Sequence, residues 1–166
     1  MSRISQLLFA AIIVCASMMM AISTQSAPQA FTHERFVHMS FNGSMNQVGE
    51  FNSRLRREFE NQKVPGVTAD SRPFLVIHGN PDRSRTLRMD LGFSINVQHN
   101  VKAPLKQSKL HYPRVERVNH RGPFTGLSKA HQELIKGKGQ VQDVVILHLL
   151  SASGNEGDVE LIQPLR

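Results

Sequence analysis

The sequence predicts an α+β domain built by duplication. Two β-α-β-β halves form one curved antiparallel sheet, with two helices on one face and a ligand groove on the other. Three observations predict it. Leu87, Met89, Leu91, Phe93, Ile95 and Val97 alternate with Arg88, Asp90, Gly92, Ser94 and Asn96, the period of a strand with one buried and one wet face. Two other segments carry apolar residues at helical spacing instead: Val48, Phe51, Leu55 and Phe59, then Phe124, Leu127, Ala130, His131, Leu134 and Ile135. The order strand, helix, strand, strand occurs twice, with Gly43 and Gly122 just ahead of the helices.

Each element follows from local chemistry. RFVHMSF, residues 35–41, alternates as a short strand and is broken by Asn42-Gly43. Ser44 and Gln47 have the spacing of a capping box, so a helix starts there, with Arg54, Arg56, Arg57, Glu58 and Glu60 mostly on its outer side. Pro65-Gly66 stops it. Phe74 to His78 is the second strand, turned by Asn80-Pro81-Asp82. Leu110 to His120 is a weaker strand in which Pro113 marks an edge or a bulge. Pro123 suits the first turn of the second helix, and Gly137 and Gly139 end it. Val144 to Leu150 is a continuous apolar run, expected to be buried on both sides. Ser153-Gly154-Asn155 turns the chain into a last strand, Val159 to Leu165. Neither half can bury its helix stripe alone, so the two share one sheet.

The first residues are expected to stand outside this domain. Arg3 precedes an apolar stretch from Leu7 to Ile22, and small residues follow to Ala27. That is the pattern of a secretory signal peptide, short of the ~20 apolar residues of a spanning helix. The expected organisation is a signal peptide over residues 1–27, a short linker over 28–34, and the domain over 35–166, exported to the periplasm or beyond. The 166 residues are 40% hydrophobic and 20% charged, enough for one packed core. A single cysteine, Cys15, excludes an internal disulfide and a cysteine-based zinc site. The net charge of +7 is spread along the chain rather than gathered in a stripe, so no nucleic-acid partner is expected. The eight histidines include no His-x-x-x-His pair on a predicted helix, so neither a metal site nor a cofactor is expected. No membrane partner is expected beyond the signal segment, and the domain is expected to be a monomer.

HRGPFTGLSKAHQELIKGKG, His120 to Gly139, resembles the helix-start signature of the GyrI-like small-molecule-binding domains. The same fold forms the effector-binding part of multidrug-responsive bacterial transcription activators. Phe124 stands where that family has Tyr, Leu127 matches, and His131 sits where Tyr is common. Glu160 to Leu165 (ELIQPL) resembles the family's closing Glu-Leu-x-x-Pro-Leu. With the duplicated order, the resemblance covers Phe36 to Leu165. It implies a small-molecule ligand in the groove between the halves. One departure stands out. Relatives that bind cationic drugs carry a Glu-x-Tyr pair on the seventh strand, whereas this strand reads VVILHLL and has no acid. The pair falls on Ile146 and His148 or on His148 and Leu150. A groove without that carboxylate implies neutral or weakly acidic ligands over lipophilic cations, and it removes the acid from which some relatives derive hydrolytic activity.

The candidate ligand-binding residues are His148, His120, Tyr112, Phe41, Phe93, Phe124, His78 and Met39. Each has a plainer role as well. His148 inside an apolar run is either a groove contact or a buried neutral histidine with one hydrogen bond. His120 either faces the groove or bonds backbone at its turn. His78 and His38 could line the groove or sit exposed on a strand, and the phenylalanines and Met39 could be core. No Gly-x-Ser-x-Gly, phosphate-binding loop or carboxylate pair beside a histidine is visible. The expected function is therefore an exported, non-catalytic binding domain for an apolar or aromatic small molecule. The alternatives are a small-molecule hydrolase of the same fold, or a SOUL-like tetrapyrrole (heme) binder with His148 as axial ligand.

Overall fold

The computed structural model describes residues 29–79, 86–153 and 156–166. The expected signal peptide (1–27) and the Asn80-Pro81-Asp82 turn lie outside the described residues. The strands are β1 (Gln29–Gly43), β2 (Phe74–His78), β3 (Leu87–Ser94), β4 (Lys106–Pro123), β5 (Val144–Ser153) and β6 (Glu156–Pro164). Helix α1 (Val48–Asn61) and helix α2 (Leu127–Ile135) each follow a three-residue 3-10 turn. Gln47 Oε1 accepts the Ser44 backbone N–H at 3.0 Å ahead of α1, as the Ser44/Gln47 spacing predicts. The duplicated α+β architecture is present: a six-stranded antiparallel sheet with two helices.

The sheet does not stay open. Its strand order is β1-β3-β2-β5-β6-β4, and β4 returns to pair with β1, which closes a barrel. Each half contributes its strands in the order first, third, second. One seam joins β2 to β5, with Val76 opposite Ile146, and the other joins β1 to β4. The second seam exists because β1 and β4 are longer than their local patterns suggest. β1 starts at Gln29, inside the expected linker, and β4 starts at Lys106. Two register shifts curl the seam. One falls between Tyr112 and Val115, where Pro113 has no N–H to give the ladder, and the other falls between His33 and Phe36. At Gly92, opposite His38, a Cβ would collide with the Val37 carbonyl oxygen, so glycine permits β1 to press against β3.

Closure sorts the side chains into an outside and an inside. A six-stranded barrel is too narrow to hold a helix. Both helices therefore lie outside, where Val48, Leu55, Phe59 and Leu127 pack with Val37, Met39, Leu75, Met89, Phe93, Leu147 and Leu161. The inside is filled by Phe31, Phe36, Phe74, Val76, Leu110, Val115, Ile146 and Ile162. The face expected to be an open groove is thus a packed interior. The same change of place corrects the reading of β3, whose second face is not wet: Asp90 is 9% exposed.

The interior packing makes a direct prediction. Phe36 is 1% exposed inside the barrel, so Phe36→Ala should lower the unfolding free energy by about 3–5 kcal/mol. Val97→Ala, at a residue 52% exposed, should change it by no more than ~0.5 kcal/mol. Denaturant titration of both variants is the check. A cost below about 1 kcal/mol at Phe36 would mean that the inner face is an unpacked groove after all.

Candidate functional site

Strand alternation and the two seams place a set of titratable side chains on the inner face, in two clusters. The first is built by β1, β2 and β3. Asp90 is opposite both Ser40 and Val76, and His78 lies two residues beyond Val76. His78 Nε2 and Asp90 Oδ2 are 2.6 Å apart. On the other side His38 Nδ1 stands 3.6 Å from Asp90 Oδ1, an electrostatic contact too long for a hydrogen bond. Burial pushes the Asp90 carboxyl up, but its contacts with His38, Ser40 and His78 outweigh burial and hold it well below the usual carboxylate range.

The second cluster is built by β1, β3, β4, β5 and β6. His148 on β5 is directly opposite Glu160 on β6, with Nδ1 to Oε2 at 3.6 Å. Arg117 on β4 donates from Nη1 to Glu160 Oε1 at 2.9 Å, while its Nε is buried without a partner among the described residues. Ser94 Oγ lies 2.8 Å from His33 Nδ1 across the β1–β3 edge. Phe74 links the two histidines: its ring centroid is 4.2 Å from that of His148 and 4.8 Å from that of His33. Phe31 packs edge-on to Phe74 and carries the Arg117 guanidinium over its face at 5.4 Å.

The electrostatics of this cluster keep its bases unprotonated. Burial lowers the His33 pKa, and the nearby His148 and Arg117 lower it further. Burial also lowers the His148 pKa. Glu160 pushes it back up and Arg117 pulls it down, with burial prevailing. Tyr112 stays a phenol, its pKa raised by burial and by the Asp90 charge across the barrel. Two neutral imidazoles, a hydroxyl on one of them, a carboxylate and a guanidinium with a spare donor are components of acyl-transfer chemistry.

Of the residues expected to bind ligand, His148, Tyr112 and His78 lie on this inner face. The other five do not. Met39, Phe41 and Phe93 have the opposite parity along their strands and are core beneath the helices. Phe124, in the 3-10 turn before α2, packs on that same outer core. His120 bonds the Pro123 carbonyl oxygen from Nε2 at 3.0 Å and lies under Gly126, the plainer of its two expected roles. His33, Ser94, Asp90 and Arg117 are not among the residues the sequence singles out, and Glu160 is named there only in the ELIQPL motif. The seventh strand's missing acid is supplied by its neighbour, since Glu160 faces His148. The seventh strand itself has no acid, and what is corrected is the inference that nothing beside it offsets a positive charge.

No family model matches the chain, and no curated protein matches it. Solved structures do. A hydrolase encoded by lin2189 from Listeria innocua matches with a TM-score of 0.50 at 10% identity, covering 86% of this chain and 93% of that one. An uncharacterized conserved protein from Listeria innocua (TM-score 0.49, 10% identity) and a further hydrolase from Listeria innocua (0.45, 13%) match over the same shares of each chain. At such identity the first likeness establishes a shared fold, a two-lobed β-α-β-β sheet. The expectation of a non-catalytic effector-binding domain is corrected at this point. A structural neighbour at a TM-score of 0.50 is named a hydrolase, and Glu160 stands beside His148, where the sequence reading found no acid.

These pKa directions fix a pH dependence. His33 and His148 titrate below the ordinary 6.5 in the folded chain, so between those two values the unfolded chain binds more protons. Stability should be full above pH 6.5 and fall as pH drops through the lowered folded values. Urea midpoints at pH 7.5 and 5.5 should differ in the wild type, and less so in the His33→Asn/His148→Asn double variant. An equal difference in both proteins would assign the pH dependence to other groups.

Proposed function

We propose that this chain is a small-molecule hydrolase acting on carboxylic esters, with Ser94 as nucleophile and His33 as its general base. The carrying observation is the 2.8 Å contact between Ser94 Oγ and His33 Nδ1, beside a guanidinium that has an unpartnered N–H. Burial keeps His33 neutral and able to accept a proton near pH 7. In the first step Nδ1 takes the Oγ proton while Oγ bonds to the ester carbonyl carbon, and the carbonyl oxygen becomes an oxyanion. The Arg117 Nε–H is the donor available to that charge, and Glu160 holds the guanidinium in place. Collapse expels the alkoxide, which takes the proton from His33. Water then repeats the sequence on the acyl-serine and releases the acid.

The lin2189 hydrolase from Listeria innocua, which shares the fold, supports a hydrolytic reading without giving the substrate. Placement with the GyrI-like domains rests on the Gly122-Pro123 helix start and the duplicated order, both of which the fold accommodates.

p-Nitrophenyl acetate and butyrate are the first substrates to try. Ser94→Ala should lower kcat by about 100-fold or more with little change in unfolding midpoint. A fluorophosphonate should label Ser94 and no other serine by mass spectrometry. Full activity in Ser94→Ala, or a label elsewhere, would remove Ser94 from the reaction.

A further inference from the structure

The side of the sheet opposite the proposed hydrolytic site holds an independent feature. Between the start of α2, the turn before α1 and the middle strands lies a cavity of about 160 Å³. Its walls are Ile77, Leu127, Val145, Leu147 and Leu161, and exposed Thr125 and Ser128 form its rim. One polar ring interrupts the apolar lining. His131, one helical turn beyond Leu127, is 6% exposed.

Its neighbours fix the His131 tautomer. Gln163 Nε2 points at three carbonyl oxygens, those of Gln142, Val144 and Pro164, at 3.0, 3.1 and 2.9 Å. An amide nitrogen donates to such a ring of acceptors, whereas an amide oxygen would be repelled. Gln163 Oε1 is thereby turned to His131 Nε2, 2.8 Å away, and an oxygen there can only accept. Nε2 carries the proton. In the neutral ring Nδ1 is then a bare lone pair, and it is buried without a partner among the described residues. An unpaired buried acceptor is costly, and a ligand donor is one way to satisfy it.

We propose that this cavity is a binding site for a small neutral ring bearing one O–H or N–H donor, with His131 Nδ1 as the acceptor. The volume suits a single six-membered ring, since apolar cavities near 150 Å³ take benzene, and the rim at Thr125 and Ser128 leaves a way in from solvent. The apolar walls exclude charge, and the buried acceptor at their base selects for a donor. Phenol has both properties and benzene lacks the donor, so the pair isolates the hydrogen bond.

The test uses the full chain with ¹⁵N-labelled histidine, titrated with phenol and with benzene. Phenol should move the His131 Nδ1 resonance upfield from its lone-pair position, and benzene should leave it in place. Phenol should bind about fivefold more tightly than benzene, the worth of one hydrogen bond. That preference should vanish in His131→Phe. Val145→Met, which narrows the cavity and keeps His131, should weaken both ligands about tenfold. Absence of binding at millimolar phenol, binding that leaves Nδ1 unmoved, or binding unaffected by Val145→Met would each overturn the proposal. The wild-type titration decides the matter even if His131→Phe does not fold.

Discussion

The pairing of β1 with β4 is the contact on which the rest of this molecule depends. Without it the chain is a curved six-stranded sheet with helices on one side and a wetted surface on the other. With it that surface becomes an interior, where a polar group left without a partner is costly. The seam is held by ladder bonds running from Gln29–Val115 to His38–Lys106. Exposed contacts such as Lys109–Glu34 at 2.8 Å decorate it and add little. Its two register shifts let β1 and β4 bend far enough to meet, as bulges do in other barrels.

Closure explains why the polar groups inside are paired as they are. Asp90 and Glu160 would be ordinary exposed carboxylates on an open sheet. Inside the barrel each is held by cationic or histidine neighbours: His78 and His38 for Asp90, Arg117 and His148 for Glu160. Leaving either carboxylate without them would cost several kcal/mol. The β2–β5 seam pairs residues 74–78 with 144–148, so His78 and His148 occupy matching places at opposite ends of it. Each half thus holds a histidine–carboxylate pair, the carboxylate coming from β3 in one half and from β6 in the other, although Glu160 is directly opposite His148 while Asp90 is opposite Val76. The halves have diverged around them. At the His148 end a second histidine, His33, has the Ser94 hydroxyl as its partner, whereas at the His78 end the second histidine, His38, faces the carboxylate.

What could be read from the sequence was whatever repeats within a few residues. The Val48–Leu55–Phe59 stripe, the FLVIH strand and the second helix after Gly122-Pro123 are local patterns, and each lies where the pattern put it. The barrel was hidden because the register between β1 and β4, dozens of residues apart in sequence, leaves no periodic trace. The same gap hid half the site. His33 precedes the alternating stretch and was assigned to a linker, yet the β4 ladder extends β1 back to Gln29. Asp90 and Ser94 fell on the polar side of a clear alternation, which cannot distinguish solvent from the lumen of a barrel. Glu160 became the partner of His148 only through the β5–β6 register. His148 and His78 were legible because an imidazole in or at the end of an apolar run stands out by itself, and Tyr112 because it is the chain's one tyrosine.

Closure of the barrel can be observed directly. In an antiparallel pair the protons of facing residues come close across the strands, so nuclear Overhauser spectra of the labelled protein report the β1–β4 seam pair by pair. A closed barrel gives cross-strand contacts between Phe31 and Tyr112, Thr32 and His111, and His33 and Leu110, with slow amide exchange along the seam. If those contacts are absent and β1 and β4 amides exchange freely while the β2–β5 ladder stays protected, the sheet is open. The inner face would then be a groove, and His33 would have no fixed place beside Ser94.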